Sequence, residues 1–159
     1  MNSNNITHTY NAFNLNWCSK ELTFPELSQV NKSDNLDVYI TNTNSKSWPP
    51  LEPNIHNTEF LDFGFEEIRL RVNNTCKLRI TQRKNIYWEK YNKDVKDNEV
   101  KNFILGSAFG GILIQRGYFL LHASALEKDN ESIVLIPLIK ALRSERVAFK
   151  YLDRGRRPP

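Results

Sequence analysis

The spacing of apolar residues changes once along this chain, and that change most restricts the fold. Between Tyr10 and Trp88, short segments alternate apolar and polar residues, the period-two pattern of half-buried β-strands. From Asp97 onward, apolar residues recur at mostly three- and four-residue intervals, which predicts one helix with a broad apolar face over about 98–116. The chain is therefore predicted to be an α+β protein in which a β-rich region precedes a helix.

The strands are predicted from apolar alternation and from the turn residues that separate the segments. Segment 22–27 contains Pro25, which favours an edge or turn position because proline has no backbone N–H to donate. Residues 1–96 are interpreted as a β-rich recognition or accessory region. Its candidate strands are 10–17, 37–41, 60–65, 68–72, 77–81 and 86–88.

Glycines lie inside the predicted helix and at its end. Asp97 or Asn98 is expected to cap the start, and Gly117 is expected to end the helix in a left-handed backbone conformation. The internal glycines lower helix propensity, each by up to about 1 kcal/mol relative to Ala, and would let another backbone approach closely. They are Gly106, Gly110 and Gly111.

Two apolar runs follow the helix, with a charged turn between them. The first run covers 118–126, the turn covers 127–132, and the second run covers 133–136. Two such runs around a short polar turn predict a β-hairpin that is largely buried on both faces.

The residues around this hairpin resemble a known family. After the strand-rich region and the glycine-containing helix, the chain reads QRGYFLLHASAL, then a charged turn, then SIVLI. This order resembles the HPr-kinase-related serine kinases of bacteria, over about 10–136 and most specifically over 103–136. The resemblance implies that the hairpin begins a P-loop kinase core of the PEP carboxykinase-like kind, whose second strand leads directly into a GxxxxGK[ST] loop.

Intact relatives are implied to transfer a phosphoryl group from ATP to a serine, with magnesium. Their glycine-rich loop binds phosphate through backbone N–H groups and a lysine. Here no glycine lies between Gly117 and Gly155, and the expected loop position reads PLIKALRS. Neither ATP nor magnesium is therefore expected as a cofactor. Residues 97–136 are interpreted as the start of an incomplete kinase core, and 137–159 as a basic tail foreign to the family, such as a frameshift or insertion would produce.

One candidate site residue comes from the resemblance. The family places the histidine corresponding to His122 on the strand beside the phosphate loop, which implies a role in nucleotide binding. A histidine packed in a buried hairpin is the alternative, and it is favoured in a chain without that loop. Ser124 is not expected to be a nucleophile, because no histidine and carboxylate accompany it in a recognisable arrangement. No catalytic residue and no metal ligand is predicted.

Charged residues outside the tail are interpreted as solvated. Asp62, Glu66 and Glu67 are interleaved with phenylalanines, which favours a solvated strand-and-turn face over a metal or acid–base site. The segment 89–101 balances its charges and is interpreted as a solvated connection. Its charged residues are Glu89, Lys90, Lys93, Asp94, Lys96, Asp97, Glu99 and Lys101.

Three functions are weighed on these grounds. The leading hypothesis is a truncated, catalytically inactive relative of an HPr-type serine kinase, and the alternative is a small regulatory module that binds a protein or peptide. Nucleic-acid binding through 137–159 is less favoured, although seven basic and two acidic residues give that tail a charge of +5 in a chain of net +4.

The sequence also indicates a location. It has no apolar run of about eighteen residues and no signal-peptide pattern, which predicts a cytoplasmic protein without a membrane partner. Its pattern does not indicate an oligomeric state.

Overall fold

The computed structural model describes residues 7–31, 35–51, 56–64, 66–120, 124–128 and 131–135. Within these residues it is a mixed α+β fold, as the apolar spacing predicts. The chain divides into two compact units, one ending at Tyr118 and the other beginning at Phe119. His122 and the tail 137–159 lie outside the described residues, so the roles predicted for them stay predictions.

The first unit is built around one mixed sheet, to which the described residues contribute nine strands. In chain order these are β1 (His8–Ala12), β2 (Leu15–Ser19), β3 (Ser28–Gln29), β4 (Val38–Asn42), β5 (His56–Asn57), β6 (Leu61–Phe63), β7 (Glu67–Val72), β8 (Cys76–Thr81) and β9 (Asn85–Lys90). Their order across the sheet is β3-β1-β2-β4-β9-β8-β7-β6-β5.

Three neighbouring strands at the centre of the sheet run parallel. β2 pairs with β4 and β4 pairs with β9 in parallel, so that Trp17 lies opposite Val38 and Ile40 lies opposite Ile86. The remaining neighbours pair antiparallel. Because parallel neighbours end at the same edge of a sheet, the residues that follow β2, β4 and β9 are brought together.

One continuous helix packs against the apolar face of the sheet. It consists of α1 (Asp97–Phe103), a π-helical segment (Ile104–Ala108) and α2 (Phe109–Gln115), which confirms the predicted helix to within one residue at each end. The ring of Phe109 stacks on the indole of Trp17, with centroids 3.7 Å apart and an interplanar angle of 10°. Strands and helix therefore share one core, whose fully buried side chains include Phe24, Leu78, Ile80, Val100 and Ile112.

The end of the helix is as predicted. Gly117 has φ of +87°, a left-handed conformation that glycine adopts without steric cost. Its N–H donates to the carbonyl of Ile114, and the N–H of Tyr118 donates to the carbonyl of Leu113. These two bonds form a Schellman motif, which satisfies carbonyls that the last turn leaves without helical partners.

The start of the helix differs from the prediction. Lys96 occupies the N-cap position and makes no side-chain capping bond, so the expected cap by Asp97 or Asn98 is wrong. Asp97 is instead the first helical residue, and its carboxylate forms an ion pair with Lys90 at 2.6 Å. A carboxylate in the first turn is also favoured by the helix dipole.

The first predicted strand, over 10–17, is in fact a hairpin. β1 and β2 are joined by Phe13 and Asn14, whose φ angles are +56° and +59°. Two consecutive residues with positive φ form the tight turn that matches the twist of a hairpin, a position where Asn-Gly is usual. The apolar Phe13, which is 59% exposed, continues the alternation across this turn and so hides it from the sequence pattern.

Two glycines inside the helix are not explained by close packing of another backbone. A Cβ added at Gly106 would meet nothing within 4 Å, and one at Gly111 would lie 3.5 Å from side-chain atoms of Ile68 and Ile80. Both are ordinary or open environments, so the expected close backbone approach is not observed at these positions.

Replacing Gly106 with alanine is expected to raise the free energy of unfolding by about 1 kcal/mol, because alanine restricts the unfolded chain and nothing crowds its methyl group. The matched control is Gly117→Ala, which is expected to lower it by about 1–2 kcal/mol because φ is positive there. Urea unfolding of both variants measures whether the free energy of unfolding rises or falls in each. A loss of stability in Gly106→Ala would contradict the open environment at that position.

The second unit contains a hairpin, as the two apolar runs predict. β10 (Ser124–Lys128) pairs antiparallel with β11 (Glu131–Leu135). The turn is tighter than the predicted 127–132, since Lys128 already lies opposite Glu131. Whether this hairpin begins a kinase core stays a prediction.

Among the described residues, no helix combines the length and apolar character that crossing a membrane requires.

Candidate binding cleft

An open cleft of about 750 Å³ lies where the three parallel strands end. Glu21 follows β2, Asn42 is the last residue of β4, and Lys90 is the last residue of β9. In sheets with parallel strands, ligands bind outside the carboxyl ends of those strands, so the position of the cleft is itself informative. Its lining residues are Glu21, Leu22, Asn42, Trp88, Glu89, Lys90, Tyr91, Asn92, Lys93 and Asp97.

Asn42 connects the strand ends that form this cleft. Its backbone N–H donates to Oε2 of Glu21 at 3.4 Å, and its side-chain amide donates to the carbonyl of Trp88 at 3.2 Å. The same carbonyl accepts a bond from the N–H of Thr43 at 2.9 Å. The two bonds to the Trp88 carbonyl fix the ends of β4 and β9 together, and the longer bond to Glu21 connects them to the segment after β2.

Trp88 lies in the wall of the cleft, and its indole N–H is a hydrogen-bond donor in an unusual environment. The residue is 5% exposed, and its indole N–H is buried without a hydrogen-bond acceptor among the described residues. The other two tryptophans differ, since Trp17 donates to the carbonyl of Ala12 at 2.9 Å and Trp48 donates to Oγ1 of Thr43 at 3.0 Å. A buried donor without an acceptor costs about 1–3 kcal/mol, so the indole N–H of Trp88 is a destabilising feature of this wall.

Some charged side chains of the cleft already have partners within the chain, and others have few. Lys90 pairs with Asp97, and Oε2 of Glu89 accepts a bond from the backbone N–H of Ser45 at 3.0 Å. Glu21 is exposed and accepts only the long bond from Asn42, among the contacts seen in the described part of the chain. The carboxylate of Glu21 is therefore the acidic group of the cleft that is most available to a ligand.

The acidic residues singled out in the sequence have a structural role. Asp62 is 7% exposed and accepts hydrogen bonds from Arg71, one of them at 2.8 Å. The hydrogen bonds from Arg71 hold the pKa of Asp62 below its ordinary value. The predicted solvated face is therefore wrong for Asp62, which is buried and paired.

Glu67 is also paired with arginines, so the solvated interpretation is wrong for it as well. Its carboxylate contacts Arg69 and lies 2.7 Å from Nη2 of Arg79. Burial alone would raise the pKa of Glu67, but the hydrogen bonds from Arg79 and Arg69 outweigh it and hold the pKa below its ordinary value. Glu66 is exposed, as expected.

The described residues contain no group of three His, Cys, Asp or Glu side chains positioned to hold a metal ion. The two thiols are buried, and burial raises the pKa of Cys18 and raises that of Cys76 to about 11. Both therefore stay protonated near neutral pH and are poor nucleophiles.

Two residues of the segment QRGYFLLHASAL join the helix end to the sheet. The side-chain amide of Gln115 donates to the carbonyl of Glu66 at 3.0 Å and accepts from the N–H of Arg83 at 3.1 Å. Nε of Arg116 donates to the carbonyl of Arg83 at 2.8 Å. In this chain the two side chains hold the turn between β8 and β9 against the helix, which is a structural role.

No protein-family model, curated protein or solved structure matches this chain. A function is therefore argued from the cleft itself. The sequence did not indicate this site, because the charges of 89–101 are balanced and the aromatic residues Trp88 and Tyr91 fit the pattern of an ordinary strand end. The sequence feature that points most clearly to the cleft is the presence of polar residues directly after the predicted strands.

Proposed function

We propose that this chain is a binding module for a segment of another protein, and that it performs no phosphoryl transfer. The observation that carries the proposal is the open cleft at the carboxyl ends of β2, β4 and β9. Its volume of about 750 Å³ is within the range of specific ligand sites, which is roughly 300–1,000 Å³. This is enough for a few residues of an extended peptide.

The chemistry of the lining favours a peptide over an apolar molecule. Asn42 offers its side-chain oxygen to a backbone N–H, since its side-chain N–H donates to Trp88, and Asn92 offers its side-chain N–H groups to a backbone C=O, since its oxygen accepts from Asp94. Tyr91, which is 43% exposed, supplies a ring that packs against a side chain and a hydroxyl that bonds to a polar group. Mixed polar and aromatic linings of this kind are typical of surfaces that bind protein segments.

The resemblance to HPr-kinase-related proteins supports a particular version of this proposal. The block QRGYFLLHASAL and the hairpin after it are arranged in the order seen at the start of such a kinase core, while the 159 residues contain no GxxxxGK[ST] motif. We therefore propose a non-catalytic relative whose β-rich unit recognises a protein partner without bound ATP or magnesium. His122 is not assigned a role in this proposal.

The test is selection of heptapeptides from a random library on the immobilised 159-residue chain, followed by affinity measurements with two variants. Lys93→Trp places a bulky ring in the cleft, and Lys46→Trp makes the same change at an exposed position outside it. Selected peptides are expected to bind Lys93→Trp at least tenfold more weakly, a change of about 1.4 kcal/mol, and to bind Lys46→Trp as they bind the unchanged chain.

Equal binding to both variants would place the peptide site elsewhere and would contradict the proposal. Failure to enrich any peptide would contradict it as well. Circular dichroism of the two variants checks that the substitution has not unfolded the chain.

A further inference from the structure

We infer that the cleft recognises a basic residue, arginine or lysine, in the partner segment, and that Glu21 is the residue that binds its charge. This inference rests on the proposed function, because it names the ligand of the same cleft. It is argued from the charges of the cleft and from the exposed ring of Tyr91.

The first argument is the charge that remains after internal pairs are formed. Three carboxylates and two ammonium groups line the cleft, and the Lys90–Asp97 ion pair removes one of each. Glu21, Glu89 and Lys93 then remain in the lining. Lys77 lies opposite Glu89 and offsets its charge, so the negative charge that stays available is that of Glu21. A ligand with a positive side chain is favoured next to this carboxylate, and one with a negative side chain is disfavoured.

The second argument decides between the two remaining carboxylates. Oε2 of Glu89 already accepts the 3.0 Å bond from the backbone of Ser45, and Lys77 lies on the neighbouring strand directly opposite Glu89. Glu21 is exposed at the end of β2, and its bond to the N–H of Asn42 is long at 3.4 Å. Glu21 can therefore turn toward a ligand with the smaller loss of existing contacts.

The third argument concerns the methylene groups of the basic side chain. Tyr91 lines the same cleft and is 43% exposed, so its ring is accessible to them. Arginine and lysine pack such methylene groups along apolar surface while the charged end stays in contact with water or a carboxylate. A ring at Tyr91 together with a carboxylate at Glu21 therefore suits a basic side chain.

The experiment compares two tripeptides that differ only in charge. Acetyl-Gly-Arg-Gly-amide and acetyl-Gly-citrulline-Gly-amide are titrated into the ¹⁵N-labelled full chain, because citrulline has the shape of arginine without its charge. The arginine peptide is expected to bind about threefold or more tightly, the effect of one exposed ion pair. The indole resonance of Trp88, which lines the cleft, is expected to move, while those of Trp17 and Trp48, which do not line it, stay fixed.

Two variants assign the effect to one carboxylate. In Glu21→Gln, the preference for arginine over citrulline is expected to disappear. In Glu26→Gln, which makes the same change at an exposed position outside the cleft lining, the preference is expected to persist. High salt should also reduce the preference in the unchanged chain, since about 1 M salt screens exposed charges beyond roughly 3 Å.

The outcomes separate this inference from the function on which it rests. Equal affinity for the two tripeptides, with shifts at cleft residues, would overturn recognition of a basic residue and leave peptide binding intact. A preference for arginine that survives in Glu21→Gln would overturn the role of Glu21. Absence of any shift at the cleft with about 10 mM of either tripeptide would overturn both proposals.

Discussion

Phe109→Ala is expected to lower the free energy of unfolding by about 3–5 kcal/mol, the usual cost of removing a buried phenylalanine. Phe109 is 2% exposed, and its ring stacks on Trp17 and lies 6.4 Å from the ring of Phe24. The substitution removes the aromatic contact between the helix and the sheet and leaves a cavity in the core. Urea unfolding, followed by the fluorescence of the tryptophans, measures the change.

The control for Phe109→Ala is Phe13→Ala at the exposed turn between β1 and β2. Phe13 is 59% exposed, so this change is expected to alter stability by no more than about 0.5 kcal/mol. Similar losses in the two variants would mean that the stack of Phe109 on Trp17 does not hold the helix to the sheet.

Glu67→Gln is expected to lower the free energy of unfolding by about 2–4 kcal/mol, because it leaves two partly buried arginines without their carboxylate. The side chains of Arg69 and Arg79 are only 15% and 17% exposed, so water cannot fully replace the lost partner. Glu66→Gln is the matched control, since Glu66 is exposed and contributes only its backbone carbonyl to the contact with Gln115. That control is expected to keep the stability of the unchanged chain.

The effect of Glu67→Gln should also depend on pH. The pKa of Glu67 is lowered in the folded chain, so its stabilising contribution is complete above the ordinary carboxyl pKa and is lost as pH falls through the folded value. The difference between the unchanged chain and Glu67→Gln is therefore expected to be constant at neutral pH and to shrink below about pH 4. A difference that stays constant down to about pH 2 would contradict the ion pairs.

Much of the fold could be predicted because local spacing determines which residues face a core. The strands that end in Thr81 and begin at Asn85, for example, follow from apolar alternation, and the helix follows from its three- and four-residue spacing. The turn at Phe13 and Asn14 could not, because neither residue is a glycine and the alternation continues through it. Asn14 tolerates a left-handed backbone, but the same conformation at Phe13 depends on pairing of the flanking strands rather than on a local preference.

The cleft could not be predicted because it depends on pairing between distant segments. β4 and β9 are separated by more than forty residues in the chain, and nothing in the local pattern indicates that they are parallel neighbours. The balanced charges of 89–101 likewise gave no sign that Lys90 and Asp97 would pair and leave Glu21 available. Asp62 and Glu67 were misjudged for the same reason, since Arg71, which pairs with Asp62, and Arg79, which pairs with Glu67, lie on adjacent strands.

The most direct test of the account is a ¹H–¹⁵N correlation map of the full chain with and without a peptide selected on it. The cleft is the proposed site, so the largest shift changes are expected at Glu21, Asn42, Tyr91 and Asn92 and at the indole of Trp88. The Arg69–Glu67–Arg79 network is expected to change little. Shift changes that cluster on that network or on the second unit, with none at the ends of β2, β4 and β9, would contradict the assignment of the cleft as the binding site.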